Sequence, residues 1–308
     1  MTRKVQRIVA IGEVMVELRH GGDDAFYLGF AGDTLNTLWA IRAVLGDSVD
    51  RIDYVTALGK DRYSQQILRF LQEAGIGTEA IRIVPDRRPG LYIIDQEEGD
   101  RVFTYWRDSS AARCLAAEEG WLTDALAGAD LIYFSGITLA ILPEDERSVL
   151  LGAIDSLRRI GVRVAFDPNI RPALWEDDAA AKRWIVEAAS KADWVLPSFD
   201  DEARTFRDAD PTATIERYRR AGASEIIVKN GKSEIVFFNG ESIGTQSAAS
   251  VDRLVDATGA GDAFNGVYIA CRLGGSSVGE SVLMAANAAA RTIQNAGALM
   301  PFDRYLGD

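Results

Sequence analysis

The chain has 308 residues, 47% hydrophobic and 26% charged, which is enough to form a sizeable buried core. Its formal net charge of −12 argues against nucleic acid or an anionic membrane as a general partner, so an anionic ligand needs a local basic pocket. One histidine, His20, and two distant cysteines, Cys114 and Cys271, disfavour histidine chemistry, metal clusters and a disulfide framework. Without a signal peptide or membrane span, we expect a cytoplasmic protein.

Short apolar segments alternate with amphipathic segments along most of the chain. The predicted strands are 7–12, 52–59, 130–136, 162–167, 193–198 and 225–231. Helical spacing of apolar residues predicts helices over 64–75, 145–161, 177–192, 261–274 and 278–297. Strands that are apolar throughout and separated by helices are typical of a mainly parallel sheet covered on both faces. The pattern therefore predicts a doubly wound α/β fold.

Two regions interrupt this alternation. Segments 90–95 and 101–106 have the pattern of a β-hairpin, and 13–30 has the pattern of two strands around a Gly-Gly-Asp turn. These strands do not belong to the parallel core, so we expect a small β lid, formed by about 13–30 and 90–107 and inserted in a single domain of residues 1–308. Exposed lid edges often pair between subunits, and we therefore expect a homo-oligomer.

The segment VDATGAGDAFNG, residues 255–266, carries the strongest chemical signal. Gly259, Ala260 and Gly261 directly precede or begin a predicted helix, where their N–H groups would form an anion hole for phosphate. At that positive helix end, Asp262 would stay ionised and could accept the proton of an attacking hydroxyl. The alternative, which is more common for an isolated Gly-x-Gly-Asp, is that Asp262 only caps the helix.

Polar residues follow several predicted strands. In an open parallel sheet, ligands bind beyond the carboxyl ends of the strands. The residues at that edge are Asp167, Asn169, Ser198, Lys229 and Asn230. We therefore expect the anion hole and these side chains to share one site.

VDATGAGDAF resembles the C-terminal signature of the ribokinase-like sugar kinases, the phosphofructokinase B superfamily, and the resemblance covers nearly the whole chain. Segments 30–42, 101–112, 134–142 and 166–175, with their YWR and NIRPALW blocks, are similar to 2-keto-3-deoxygluconate kinases within it. The resemblance implies a ribokinase-like fold and ATP-dependent phosphorylation of 2-dehydro-3-deoxy-D-gluconate at its terminal hydroxyl. It also implies Mg²⁺ held mainly by the nucleotide, and leaves open the monovalent-cation requirement known among relatives.

The resemblance assigns residues to each ligand. Those assigned to the sugar acid are Gly32, Asp33, Asn36, Tyr92, Tyr105, Arg107, Arg171 and Asp262. Those assigned to ATP are Asn169, Arg171, Lys229, Gly231, Gly259, Ala260, Gly261 and Asn287. Asp262 and the 259–261 turn form the catalytic group. No side chain is expected to ligate Mg²⁺ directly, and Glu202 matches an acidic position that would organise the ion through water.

Arg107 and Arg171 carry the substrate assignment, because a sugar acid needs a cation that a neutral sugar does not, and a guanidinium fork suits a carboxylate. Without the resemblance, each arginine could equally form a surface ion pair, and Tyr92 or Tyr105 could simply pack in a sheet. The alternatives are a kinase for fructose, ribose or a nucleoside, and a non-catalytic sugar-acid-binding protein.

The sequence departs from the family pattern at Ala31, where relatives usually have a glycine before Gly32. An added methyl there is expected to crowd the sugar slightly, which leaves the breadth of substrates open. The sequence also does not separate the gluconate-derived sugar acid from its galactonate-derived epimer.

Overall fold

The structure, a computed structural model, describes residues 5–21, 25–97, 100–251 and 253–306. The strands are β1 (Arg7–Ile11), β2 (Met15–His20), β3 (Phe26–Ala31), β4 (Arg51–Leu58), β5 (Ile81–Ile83), β6 (Gly90–Glu97), β7 (Asp100–Trp106), β8 (Leu131–Ser135), β9 (Arg163–Asp167), β10 (Trp194–Val195), β11 (Glu225–Val228), β12 (Ile235–Phe238) and β13 (Ile243–Gln246). The helices are α1 (Asp33–Leu45), α2 (Arg62–Glu73), α3 (Glu119–Leu126), α4 (Gly136–Ile141), α5 (Glu144–Arg159), α6 (Asp178–Ser190), α7 (Phe199–Phe206), α8 (Pro211–Ala221), α9 (Ala260–Leu273) and α10 (Val278–Thr292).

The larger sheet has nine strands in the described ranges, in the order β13-β12-β11-β10-β9-β8-β1-β4-β5. The strands from β5 across to β11 are parallel, and β12 and β13 add an antiparallel edge. In β1, Ile8 and Ala10 are buried on one face, and Val9 and Ile11 on the other. Helices α1, α2, α9 and α10 cover the first face, and α3, α5, α6 and α8 cover the second. The doubly wound α/β prediction is confirmed.

The chain leaves β1 toward β4 on one side and returns to β8 on the other. This reversal of strand order is a topological switch point, where open α/β sheets bind ligands beyond the carboxyl ends of their strands. Within the described residues, no helix combines the length and the apolar character needed to cross a membrane.

Three predicted elements end three or more residues earlier than expected, and one of them, the strand predicted over 225–231, ends at Val228. The predicted strand 193–198 is reduced to β10, since Pro197 lacks the N–H that a ladder requires. The helix predicted over 278–297 ends at Thr292. The carbonyl of Ile293 then accepts hydrogen bonds from the N–H groups of Val255 (2.8 Å) and Asp256 (3.0 Å). The segment after α10 thus fixes the chain that leads into α9.

A second sheet of four strands, in the order β3-β2-β6-β7, forms the predicted lid. The two hairpins β2-β3 and β6-β7 are antiparallel, and they join through a parallel pairing of β2 with β6 that places Glu17 opposite Tyr92. Gly22 and Asp23, in the turn predicted between β2 and β3, lie outside the described residues. Because β2 begins shortly after β1 ends, the lid is attached at the carboxyl edge of the large sheet.

Candidate active site

The N-terminus of α9 has the predicted glycine turn. Gly259 is the N-cap residue and has a left-handed φ of 77°, and a Cβ at this position would lie 2.7 Å from the carbonyl oxygen of Ala298. Gly261 is exposed, and a Cβ built on it would have one neighbour among the described residues, Lys229 Nζ at 3.7 Å. Gly259 is therefore required by the backbone, whereas Gly261 leaves open space between a helix N-terminus and an ammonium group. That space suits an anion.

Lys229 is held in place by a buried polar network at the end of β11. Its Nζ donates to Asp167 Oδ2 and to Asn265 Oδ1, both at 2.9 Å. Asn265 Nδ2 donates in turn to Asp167 Oδ2 at 2.6 Å and to the Tyr133 hydroxyl at 3.2 Å. An ammonium has three N–H groups, so one remains for a ligand near Gly261. The network fixes the position of the positive charge before any ligand binds.

Asp262 lies in the first turn of α9, but its hydrogen-bond partner is on α1. Asn36 Nδ2 donates to Asp262 Oδ2 at 2.8 Å, so a helix-capping role alone does not account for this carboxylate. Burial at the site and the negative charge of Asp33 raise the pKa of Asp262 to about 7, against the lowering effects of Asn36 and Lys229. A carboxyl group that titrates near neutral pH is well matched to general-base chemistry.

The segment from Gly32 to Asn36 begins α1 beside Asp262. A Cβ on Gly32 would lie 2.0 Å from the carbonyl oxygen of Glu13, so only glycine fits there. Asp33 Oδ2 accepts a hydrogen bond from Asn169 Nδ2 at 2.9 Å. Asn169 follows β9 with a left-handed φ of 33°. The structure thus brings together residues that the sequence assigned to the sugar and to ATP.

Arg107, predicted to bind the substrate carboxylate, forms an ion pair with Glu13. The donor is Arg107 Nη2, the acceptor is Glu13 Oε2, and the two side chains are 8% and 1% exposed. Burial raises the pKa of the Tyr105 hydroxyl, and the charges of Arg107 and Arg171 oppose that effect. The guanidinium carbon of Arg107 lies over the Tyr105 ring, 5.7 Å from its centroid.

Arg171, on the loop after β9, is half-exposed, and its Nη1 pairs with Asp201 Oδ2 at 3.1 Å. Asp201 also pairs with Arg204. Burial raises the pKa of Asp201, which these two arginines lower in part. The ion-pair alternative considered for Arg171 is thus present in the structure, although half of the side chain remains accessible.

The two predicted tyrosines differ in accessibility. Tyr92 is 5% exposed, and its hydroxyl donates to the Glu17 carboxylate opposite it in the lid. Burial and the charge of Glu17 raise the pKa of Tyr92 well above its usual value. Tyr105 is 49% exposed, and its ring centroid lies 5.7 Å from that of Tyr92. Tyr105 is therefore the tyrosine available to a ligand, while the proton of Tyr92 is already committed within the lid.

Glu202 is placed differently from the sequence-based expectation. It is 0% exposed, and its two carboxylate oxygens accept hydrogen bonds from Arg217 Nη2 and the Tyr218 hydroxyl, both at 2.8 Å. Burial raises the pKa of Glu202 to about 7. A carboxylate so enclosed has no face for a metal-bound water, and this corrects the assignment. Its neighbour Asp201 points to Arg171 instead, because successive helical residues diverge by about 100°.

Gly231, Asn287 and Ala31 lie in three different parts of the fold. Gly231, with φ of 56°, follows β11, and Asn287 is exposed on α10. Ala31 is 2% exposed and belongs to a small apolar cluster. Its neighbours there are Met15, Tyr92, Ile94 and Ala298. The added methyl at Ala31 is therefore buried at the base of the lid.

The residues of the site without a role in the sequence-based assignment include Glu13, Glu17, Asp201 and Asn265. Asn265 stands three positions after Asp262, and helical spacing could have indicated that both lie on one face of α9. Glu13 is 94 residues from its partner Arg107, and Glu17 is 75 residues from Tyr92. No local sequence signal connects partners that far apart.

Comparison with known proteins agrees with this geometry. Residues 5–303 match the sequence family described as pfkB family carbohydrate kinase. The chain is 34% identical over 310 residues to the 2-dehydro-3-deoxygluconokinase of Dickeya dadantii, covering 98% of this chain and 99% of that protein. The protein of the same description from Escherichia coli K12 is 34% identical over 302 residues, covering 96% and 97%.

The fold is also similar to solved structures. A putative ribokinase II from E. coli, solved in complex with ATP and Mg²⁺, has a TM-score of 0.83. The match covers 96% of this chain and 95% of that one at 21% sequence identity. The similarity at this identity shows a common architecture.

Proposed function

Since the chain belongs to the pfkB family of carbohydrate kinases, we propose that it transfers the γ-phosphoryl group of ATP to the terminal hydroxyl of 2-dehydro-3-deoxy-D-gluconate. The products are the 6-phosphate and ADP. The observation that carries the reaction type is the position of Asp262, hydrogen-bonded across to Asn36 beside the open space at Gly261. The substrate assignment rests on the 34% identity, over nearly the full length of the chain, to two 2-dehydro-3-deoxygluconokinases.

Asp262 is the general base in this proposal. Its carboxylate accepts the proton of the sugar hydroxyl as the hydroxyl oxygen attacks the γ-phosphorus and the bond to ADP breaks. Asn36 orients the carboxylate through its 2.8 Å hydrogen bond. The raised pKa of about 7 makes Asp262 a stronger base than an ordinary aspartate and keeps it partly ionised at neutral pH.

The phosphate side stabilises the charge that develops during transfer. The N–H groups of Gly259 and Gly261 and the third N–H of Lys229 are proposed to face the space where the transferred group would lie, whereas the N–H of Ala260 donates to the Ala257 carbonyl oxygen at 3.4 Å. Asn169, Arg171, Gly231 and Asn287 complete the proposed ATP contacts. Mg²⁺ bound with ATP neutralises phosphate charge, and its chemistry favours phosphate and water oxygens with few carboxylates. Asp201, paired with Arg171, replaces Glu202 as the carboxylate that fits this role.

The sugar side is formed by the start of α1 and the lid. Gly32, Asp33 and Asn36 are proposed to meet the sugar hydroxyls, with Tyr105 above them and Tyr92 behind it in the lid. Arg107 and Arg171 are proposed to bind the carboxylate. The guanidinium carbon of Arg107 lies 5.7 Å from the centroid of the Tyr105 ring and Arg171 is half-exposed, which supports a cationic site that a neutral sugar would leave empty.

The test is ADP release with four sugars: 2-dehydro-3-deoxy-D-gluconate, its galactonate-derived epimer, D-fructose and D-ribose. We expect the highest kcat/KM with the gluconate-derived acid. Equal or higher values with fructose or ribose would favour the neutral-sugar alternative. One observation favours that alternative, because each arginine already has an acidic partner. Binding without turnover of any of the four would instead favour a non-catalytic sugar-acid-binding protein.

Two further properties are part of the proposal. A homo-oligomer through the lid is supported by large apolar side chains that are exposed on β3 and β7: Phe26, Leu28, Val102 and Trp106. Sedimentation analysis should give at least a dimer, and Leu28→Glu should reduce the mass to that of one chain. A monovalent-cation requirement would appear as higher activity in potassium chloride than in choline chloride at equal ionic strength.

A further inference from the structure

Glu13 lies in the short connection between β1 and β2, at the switch point of the large sheet. Its side chain is enclosed: Oε2 accepts from Arg107, and Oε1 is buried without a hydrogen-bond partner among the described residues. A Cβ on Gly90, the first residue of β6, would lie 2.8 Å from that second oxygen. The carboxylate is thus held between the lid and the carboxyl edge of the sheet.

The backbone of Glu13 is fixed as closely as its side chain. Its carbonyl oxygen would lie 2.0 Å from a Cβ on Gly32, so it packs directly against the start of α1. The segment that begins with Gly32 is the one proposed to meet the sugar hydroxyls. A single residue therefore connects the sugar segment with the lid arginine.

The ion pair with Glu13 uses only part of the hydrogen-bonding capacity of Arg107. Its Nε is buried without a partner, and its Nη1 forms no hydrogen bond within the described residues. A guanidinium has five N–H groups in one rigid plane, so fixing Nη2 also fixes the direction in which Nη1 points. Removing Glu13 would leave a buried cation without a counterion, which is strongly unfavourable and would let the side chain move.

From these contacts we infer that Glu13 is a positioning residue that sets the preference of the enzyme for sugar acids over neutral sugars. Glu13 holds Nη2 of Arg107, so that Nη1 meets the substrate carboxylate at a fixed place relative to the sugar segment. The inference rests on the proposed function, because it requires a substrate with a carboxylate. Glu13 itself touches neither the sugar nor the phosphate and acts through Arg107.

The test uses Glu13→Asp, which keeps the charge but withdraws the carboxylate by about 1.5 Å. The measured quantity is the acid preference, the ratio of kcat/KM for 2-dehydro-3-deoxy-D-gluconate to that for 3-deoxy-D-fructose, which has a hydroxymethyl group in place of the carboxylate. We expect the preference to fall about ten-fold or more, through a higher KM for the acid with little change in kcat. Glu13→Gln keeps an oxygen that accepts from Nη2 but not the counter-charge, so it should retain more of the acid preference than Glu13→Asp while lowering the thermal stability.

The control is Glu225→Asp, the same change in another buried glutamate–arginine pair. Glu225 accepts from Arg272 Nη2 at 2.6 Å, between β11 and α9, and belongs to no proposed ligand contact. This variant should lose thermal stability without changing the acid preference. If Glu13→Asp lowers kcat/KM equally for both substrates, its role is only structural and the inference is wrong.

A double-mutant cycle separates the remaining possibilities. In an Arg107→Ala background, Glu13→Asp should cause no further loss of acid preference, because Glu13 acts through that arginine. An additional loss in this background would overturn the inference. If the parent enzyme itself shows no preference for the acid, the proposed substrate fails. If the parent shows the preference and Glu13→Asp retains it, only the role of Glu13 fails.

Discussion

The phosphate side and the lid side of the site both contain a buried cation paired with a buried carboxylate, but they differ in how completely the pair is satisfied. Lys229 is bound by Asp167 and Asn265, and both of these are bound in turn to other core groups. Among the residues that the structure describes, Glu13 and Arg107 each keep one buried polar atom without a hydrogen-bond partner. On the phosphate side, two of the three N–H groups of Lys229 are therefore paired before ligands arrive and the third is next to open space, whereas the lid side retains enclosed groups that cost free energy until a partner is supplied.

The largest effect is expected from removing the base between the two sides. Asp262→Asn keeps an acceptor for Asn36 but cannot take the hydroxyl proton, so kcat should fall by about 10²- to 10⁴-fold. Binding of ATP and of the sugar acid, measured by calorimetry, should persist. Near-normal turnover would show that Asp262 does no more than complete the first turn of α9.

The next effect tests whether the lid side recognises charge. Replacing Arg107 by glutamine removes the positive charge, and losing a charge-assisted interaction of about 1.5–3 kcal/mol corresponds to about 10- to 150-fold in affinity. Arg107→Lys keeps the charge but not the guanidinium fork, so it should lose less. Arg171→Lys should act in the same direction. The affinity for 3-deoxy-D-fructose should change little in these variants. An equal loss for both sugars would contradict a carboxylate site.

The phosphate side can be tested with a matched pair of glycine substitutions. Gly261→Ala places a methyl in the open space beside Lys229, so we expect normal thermal stability and a KM for ATP raised about ten-fold. Gly259→Ala is the control, because the left-handed backbone and the close carbonyl of Ala298 should lower its melting temperature. If Gly261→Ala has the kinetics of the parent, the turn is only a helix start.

The smallest effect is a shift of a pH profile. Asp262 must be deprotonated to act, so kcat/KM for the sugar acid at low ATP should decline as pH falls below about 7. The charge of Asp33 raises the pKa of Asp262, and Asp33→Asn should therefore move the acid limb to lower pH. The position of the limb is the readout, since the overall rate will also fall. If the acid limb of Asp33→Asn has the same midpoint as that of the parent, the ionisation that controls kcat/KM belongs to a group other than Asp262.

These comparisons also show what the sequence could predict. The parallel core follows from strands that are apolar throughout, such as 7–12, because such strands must be buried on both faces. The phosphate turn is equally local, since Gly259, Gly261 and Asp262 are nearly contiguous. The turn could therefore be predicted from one segment, whereas the pairing of Lys229 with Asp167 beside it joins residues 62 positions apart and could not.

The lid side depends on pairings that are distant in sequence. With 34 basic and 46 acidic side chains, composition does not indicate that Glu13 is the partner of Arg107. The misassignment of Glu202 has a different cause, which is helix phase. A shift of one residue at the start of α7 exchanges the inward-facing acid for its neighbour Asp201, and helix boundaries are not predictable to one residue.

The parallel pairing of β2 with β6 has a consequence for the order of folding. Between the two strands lie β3, which pairs with β2 in the lid, and then α1, β4, α2 and β5, which belong to the large sheet and its covering helices. The pairing of β2 with β6 costs less conformational entropy after those elements have packed, because closing so long a loop earlier is entropically unfavourable. We expect amides of β2 and β6 to become protected from hydrogen exchange later than those of β1 and β4 during refolding. A nascent chain would thus acquire its phosphate turn and its sugar lid as separate events, with the lid assembled on a finished core.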